Sequence, residues 1–290
     1  MFQENKLLSE LSTFKVGGPA RYFIEIHTTE EIRQVLLACS QRKLPYFILG
    51  KGSNCLFDDR GFNGVIILNK IDFIKRPSSN VFYVGAGYSF SLLGTQTARQ
   101  GFSGLEFASG IPGSVGGAVF MNAGANGAET CDSLTSVDYI SETGELQTIV
   151  KEQLHFAYRT SSFQSMKGAI VAATFTLQSE PSARTKQIDI IGYRKNTQPY
   201  NSPSAGCIFR NPHCGHAGAL IESAGLKGAS VGGAQVSSLH ANFIVNTGGA
   251  SSKDVLNLIE LVKKQVHEKM NTELESEVRY IPYQDKIPYE

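Results

Sequence analysis

Two glycine-rich loops are the first segments whose residue types and spacing point to chemistry. Gly50-Lys51-Gly52-Ser53-Asn54 follows directly on the apolar run Tyr46-Phe47-Ile48-Leu49. It therefore presents successive backbone N–H groups at a bend that glycine makes readily, as a pyrophosphate cradle requires. Alone, this loop would also pass for an ordinary tight turn. Ser109-Gly110-Ile111-Pro112-Gly113-Ser114-Val115-Gly116-Gly117 repeats the chemistry, and the 21 residues from Ala108 to Ala128 hold six glycines and five alanines, too small and loop-prone for ordinary core packing. Two such loops suit one shared dinucleotide better than two coincident turns. Neither is GxxxxGK[ST], and neither is a GxGxxG opening a helix. Gly85-Ala86-Gly87 after the strand-like Val81 to Val84 starts like the latter, but Phe90 stands at the third glycine position. A flavin dinucleotide in another fold is the attractive remainder, although composition alone does not prove it.

Other reactive side chains offer less. Five cysteines (Cys39, Cys55, Cys131, Cys207, Cys214) are odd in number and include no CxxC pair, which argues against a disulfide framework or a zinc ribbon and for reduced thiols. His213, Cys214 and His216 lack a second ligand cluster at sensible spacing, so no metal is expected.

The elements that must position these loops can be read from periodicity. Arg21 to Ile26 alternates as a strand; Thr28 and Glu31 have capping-box spacing for a helix with Ile32, Val35, Leu36 and Cys39 on one face, stopped by Pro45. Tyr46 to Leu49 completes a βαβ-like start. Strands are expected at Gly64 to Leu68, Val81 to Val84, from Thr135, and over Ala169 to Leu177, with a helix around Ser91 to Gln100. The polar stretch Gln178 to Lys186 is the best boundary, which predicts a first domain over 1–180, in subdomains of about 1–70 and 71–180, and a second over 181–290. In the second, Ser251 and Asp254 cap a helix presenting Val255, Leu258, Ile259, Val262 and Val266, and Leu274 to Ile281 alternates as a strand. At 290 residues and 41% apolar content the chain is long enough for two globular units. Its formal charge of +1 provides no global field for nucleic acid or anionic membrane, and no run approaches the ~18 apolar residues of a membrane span. With no signal-like segment at Met1 to Lys6, a cytoplasmic protein is expected.

Thr13-Phe14-Lys15-Val16-Gly17-Gly18-Pro19, both glycine loops, Asn122-Ala123-Gly124-Ala125, Tyr158-Arg159-Thr160-Ser161-Ser162-Phe163, Ser204 to Pro212, His240-Ala241-Asn242-Phe243 and Glu277-Val278-Arg279-Tyr280 together resemble the UDP-N-acetylenolpyruvoylglucosamine reductase (MurB) family, over almost the whole chain. The length is similar to the shorter form, which lacks an extra tyrosine-bearing loop. The resemblance implies an α+β protein: an FAD-binding fold of the vanillyl-alcohol-oxidase (PCMH) type in two subdomains, plus a C-terminal α+β substrate domain whose last strand returns to the active site. It implies non-covalent FAD, NADPH as reductant, a nucleotide-sugar substrate and a monomer. Gly50 to Asn54, Gly110 to Ser114, Gly116, Gly117, Asn122, Ala123 and Gly124 would bind the cofactor; Tyr158, Arg194, Lys195, Arg210, Asn211, His240 and Asn242 are the candidates for the substrate. Arg159 would hold the substrate carboxylate and the enolate that grows from it, as a bidentate guanidinium can. Cys207 would donate the proton at a position more often serine in the family, and Glu277 would assist Arg159. A flavin oxidase of the same fold and a non-catalytic nucleotide-sugar binding protein remain the alternatives.

Overall fold

The computed structural model describes residues 2–285. The first sheet is built from β1 (Gln3–Leu7), β2 (Pro19–Ile26), β3 (Tyr46–Leu49) and β5 (Phe62–Asn69), in the order β1-β2-β5-β3, with β2 and β3 parallel to β5. Between β2 and β3 runs helix α1 (Thr29–Gln41), and its predicted capping box is present: the Glu31 amide donates to Thr28 Oγ1 at 3.2 Å and the Thr28 amide to Glu31 Oε2 at 3.1 Å. The face carrying Ile32, Val35, Leu36 and Cys39 is buried against Ile26, Val65 and Ile67. The short strand β4 (Cys55–Phe57) lies outside this sheet.

A second, antiparallel sheet contains β6 (Ile74–Ser78), β7 (Val81–Gly85), β8 (Leu134–Ser141), β9 (Leu146–Val150) and β10 (Gly168–Thr176), in the order β9-β8-β10-β7-β6. Helices α2 (Phe90–Arg99) and α3 (Val115–Met121) are buried with it through Phe90, Leu93, Val115 and Val119, which meet Phe82, Val137 and Phe175. Ile140, Ala169 and Val171 of the second sheet pack into the same cluster as α1, so the two sheets share a core.

Helix α4 (Ala183–Thr197) begins inside the polar stretch taken above as a boundary and packs on α2. Only Ala183 and Gln187 of it are buried, which explains why Ile188 to Tyr193 carries no amphipathic signature. After it comes an antiparallel sheet of β11 (Ser204–Cys207), β12 (Ser230–Val231), β13 (Ala234–Val236) and β14 (Phe243–Asn246), ordered β11-β14-β13-β12. It is covered by α5 (Ala217–Ser223) and α6 (Ser252–Met270). Helix α6 opens on the predicted Ser251/Asp254 capping box, buries Val255, Leu258, Ile259, Val262 and Val266, and stops at Asn271 in the left-handed region. Phe14, Val16 and Leu56 from the N-terminal half complete this core.

The final strand is shorter than expected: β15 covers Arg279–Ile281 and pairs parallel with β4. Upstream, the segment pairs with residues 208–210 instead, through a bridge between Ser276 and Phe209, an Arg210 amide donating to Glu275 O at 2.9 Å and a Glu277 amide donating to Ile208 O at 2.7 Å. The alternation of Leu274 to Ile281 describes one extended segment; the change of partner midway is a tertiary matter.

Candidate active site

Gly52 sits at φ +60 with its Cα so near the chain before it that a β-carbon would lie 2.5 Å from the Leu11 carbonyl oxygen. Gly50 abuts the other loop: a β-carbon there would run into Ser114 Oγ. The two glycine-rich loops therefore touch, and Lys51 Nζ donates to Ser89 Oγ at 2.8 Å beside them. Among the described residues, none of the hydrogen bonds has the Lys51, Gly52 or Ser53 amide as its donor. In the second loop most amides are used internally: Val115 N donates to Tyr88 O at 2.9 Å, Gly116 N to Ala86 O at 2.8 Å and Gly117 N to Ser114 Oγ at 3.3 Å. The Gly85-Ala86-Gly87 segment is thus the backbone on which this loop rests. Pro112 is exposed while Ile111 packs against the core below, and a β-carbon on Gly113 would have Ser53 Oγ, 3.9 Å away, as its nearest neighbour. Consecutive free amides facing an open, glycine-lined gap fit the diphosphate of FAD, because an anion would satisfy donors the protein leaves unmatched.

Arg159 stands on a two-residue turn. Phe156-Ala157 pairs with Thr160-Ser161, and Tyr158-Arg159 links them, with Arg159 at φ +56. A side chain in that region costs about 1–3 kcal/mol. The guanidinium is nonetheless tightly held: Nε donates to Glu277 Oε1 at 2.8 Å, Nη2 donates to Gly124 O at 2.8 Å, and Cζ lies 4.8 Å from the Tyr158 ring centre. The ion-paired side chains are 18% and 13% exposed, so solvent screens them little. Burial pushes the Glu277 carboxyl up from its ordinary value while Arg159 opposes the shift. Cys207 feels both partners: burial and the Glu277 charge push its thiol up to about 12, against the pull of Arg159 and Arg194. The thiol is therefore a proton carrier at neutral pH rather than a thiolate.

Backbone contacts fasten this group to the loops. Asn54 Nδ2 donates to Glu277 O at 3.2 Å. Thr13 joins the cofactor loop to the strand of Cys207, since its amide donates to Gly52 O at 3.3 Å, its carbonyl accepts from Ser204 N at 3.1 Å and its hydroxyl donates to Ser204 O at 2.7 Å. Arg279 lies 4.7 Å over the Phe120 ring. None of these contacts has a local sequence signal, because their partners are far apart in the chain.

The remaining candidates fall into different places. Ala123 donates to Ala118 O at 2.8 Å, Gly124 supplies the carbonyl under Arg159, and the Asn122 side chain is fully engaged by protein groups. Asn211 Oδ1 accepts from Ala217 N at 3.0 Å at the start of α5, and its amide reaches the Tyr158 hydroxyl at 3.5 Å. Arg210 pairs with Glu275 at 3.3 Å, while its Nε is buried without a partner. Arg194 Nε donates to the Tyr200 hydroxyl, which donates to Gly110 O, both at 2.9 Å, so α4 is tied to the second glycine loop; Lys195 is exposed. His240 Nδ1 accepts from Asn242 N at 3.2 Å, and burial lowers its pKa. The buried Asn242 amide brackets the Phe209 backbone at 3.0 and 2.9 Å. Among the described residues no group of three or more potential metal ligands assembles, and no helix is long and apolar enough to cross a membrane.

Residues 20–149 match the FAD binding domain family. With this match and two touching glycine-rich loops, the class is an FAD-dependent oxidoreductase of α+β fold. Residues 198–281 match the family described as UDP-N-acetylenolpyruvoylglucosamine reductase, C-terminal domain. The chain is 62% identical over 282 residues to the UDP-N-acetylenolpyruvoylglucosamine reductase of Protochlamydia amoebophila, covering 97% of this chain and 94% of that protein. It is 50% identical over 285 residues to that of Chlamydia muridarum, covering 98% and 96%. The crystal structure of UDP-N-acetylenolpyruvylglucosamine reductase (MurB) from Thermus caldophilus is similar at a TM-score of 0.83 and 36% identity, over 97% of this chain and 100% of that one. The chain belongs to the UDP-N-acetylenolpyruvoylglucosamine reductase family.

Proposed function

We propose that this chain reduces the enolpyruvyl ether of UDP-N-acetylglucosamine to UDP-N-acetylmuramate, a peptidoglycan precursor, and that Arg159, Cys207 and Glu277 carry the reaction. FAD, when bound, supplies the hydride that it takes from NADPH. The amides of Gly50 to Asn54 and the backbone around Gly113 and Ser114 would hold its diphosphate. Arg159 neutralises the substrate carboxylate and stabilises the enolate that develops once hydride reaches the vinyl carbon, because a guanidinium's bond to carboxylate strengthens as negative charge accumulates. Glu277 orients that guanidinium through its Nε. Cys207 delivers the proton to the α-carbon and is matched to that role by a thiol that retains its hydrogen at physiological pH. Tyr158, Arg194, Lys195, Arg210, Asn211, His240 and Asn242 remain the candidates for placing the nucleotide sugar. The reading includes a cytoplasmic, monomeric enzyme whose units divide near residue 180.

The observation that carries this proposal is the Arg159–Glu277 pair beside the strand of the half-buried Cys207, whose neighbour Ile208 accepts from the Glu277 amide at 2.7 Å. The test is spectroscopic. Purified protein should be yellow or be made so by added FAD, should bleach on anaerobic mixing with NADPH, and should regain its colour with the enolpyruvyl substrate in the absence of oxygen. A colourless protein that takes up no flavin, or one that only oxygen recolours, would refute it.

A further inference from the structure

Arg159 occupies the second position of its turn, alone in the left-handed region, where glycine or asparagine is the usual occupant. Such a conformation persists only when its surroundings over-determine it. Two amide side chains do so here. Gln164 Nε2 donates to Arg159 O at 3.0 Å and to Phe120 O at 3.1 Å. Asn122 Nδ2 donates to Ala157 O, the last residue before the turn, at 3.0 Å and to Glu129 Oε2 at 2.8 Å, while its Oδ1 accepts from Cys131 N at 3.1 Å. Both amide hydrogens of Asn122 are spent on the protein, so its side chain has no donor left for a cofactor. Phe120, Met121 and Asn122 form the end of α3, the helix that the glycine loop starts at Ser114. Ser161 Oγ adds a 2.7 Å bond to Phe120 O. A single short helix thus has the cofactor loop at one end and the arginine turn at the other.

We propose that Asn122 and Gln164 are positioning residues for Arg159, clamping its strained turn to the end of α3 so that the guanidinium is held at a fixed distance from the cofactor loop. The inference rests on the role of Arg159 proposed above. Gln164 is exposed, so its removal leaves the core intact; Asn122→Gly keeps the left-handed backbone of residue 122 and deletes only the side chain.

The test separates the two half-reactions of the FAD-loaded protein by anaerobic stopped flow. Gln164→Ala and Asn122→Gly should leave flavin content and the NADPH half-reaction unchanged and slow oxidation by the enolpyruvyl substrate by roughly 10- to 100-fold, as a misplacement of about 1 Å does. Arg159→Ala/Gln164→Ala should be no slower than Arg159→Ala, because the glutamine acts only through the arginine. In the protein without cofactor, the Glu277 carboxyl followed by NMR should titrate at higher pH in Gln164→Ala than in wild type, since a displaced Arg159 opposes the effect of burial less. Full oxidation rates in both single variants, loss of flavin, or an equal loss in the Arg159→Ala background would each overturn the proposal. Wild-type oxidation by Arg159→Ala itself would instead strike down the role of Arg159, and the clamp with it. Should Asn122→Gly fail to fold, Gln164→Ala decides the matter.

Discussion

The family resemblance leads one to expect serine where this chain has Cys207, and the environment of that thiol sets what it can do. With its thiol pushed up to about 12, chiefly by burial and then by Glu277, Cys207 stays protonated at pH 8. It should therefore resist iodoacetamide at pH 8 in the folded protein, and rapid alkylation of Cys207 would contradict this environment. Since the acid form is present at every pH below about 12, the substrate half-reaction should show no alkaline fall attributable to Cys207 up to pH 10. Cys207→Ser should keep measurable reduction, whereas Cys207→Ala should lose on the order of 100-fold or more. Glu277 offers a second check. Its raised carboxyl opposes folding once ionised, an effect absent at low pH and growing as pH rises through its folded value. Arg159→Ala removes the opposing charge, so its melting deficit should widen as pH is raised from 4 to 7, and adding Glu277→Gln should narrow it. A deficit independent of pH would show that the pair is not coupled this way.

At the scale of elements, β15 depends on one carboxylate. Asp58 is held well below the usual carboxylate range, chiefly by Arg60, and its Oδ2 also accepts from the Tyr280 hydroxyl at 2.7 Å, while its amide donates to Ile281 O at 3.1 Å. Asp58→Ala should cost about 2–3 kcal/mol at neutral pH. Because the folded pKa is depressed, that contribution is present above the unfolded value near 4 and is lost as pH falls through the folded one; the variant and wild type should converge in acid melting curves. Elements of this kind also mark how far the sequence could be read. Helices α1 and α6 declare themselves through Thr28/Glu31, Ser251/Asp254 and a one-sided apolar stripe, and the glycine loops through composition. Helix α4 does not, being polar around most of its circumference. The clamp of Asn122 and Gln164 on Arg159, and the bond from Asn54 to Glu277, were out of reach because side-chain to backbone contacts, whether five residues apart like Gln164 to Arg159 or far apart like the others, impose no period on the chain.

The N-terminal and C-terminal parts of the chain are joined by specific contacts. Asp59 accepts from the Ser252 amide at 2.8 and 2.9 Å and from its hydroxyl at 2.8 Å, which attaches the first turn of α6 to the cofactor half. Phe14, Val16 and Leu56 enter the core of the other half directly. Wild type should accordingly melt in one cooperative transition, and saturating FAD at about 100 times its dissociation constant should add about 2.7 kcal/mol of stability, read as a rise in Tm that disappears when the flavin is stripped. Two resolved transitions in the wild type would contradict a shared core. The changing partnership of residues 274–281 carries a further consequence. Among the described residues β4 has β15 as its one strand neighbour, and Glu277 is translated after every other member of the constellation around Arg159. A ribosome that stalls before residue 277 leaves β4 with an unpaired edge beside the glycine loop and Arg159 without its counter-charge, so the pair forms only once the last part of the chain has been made.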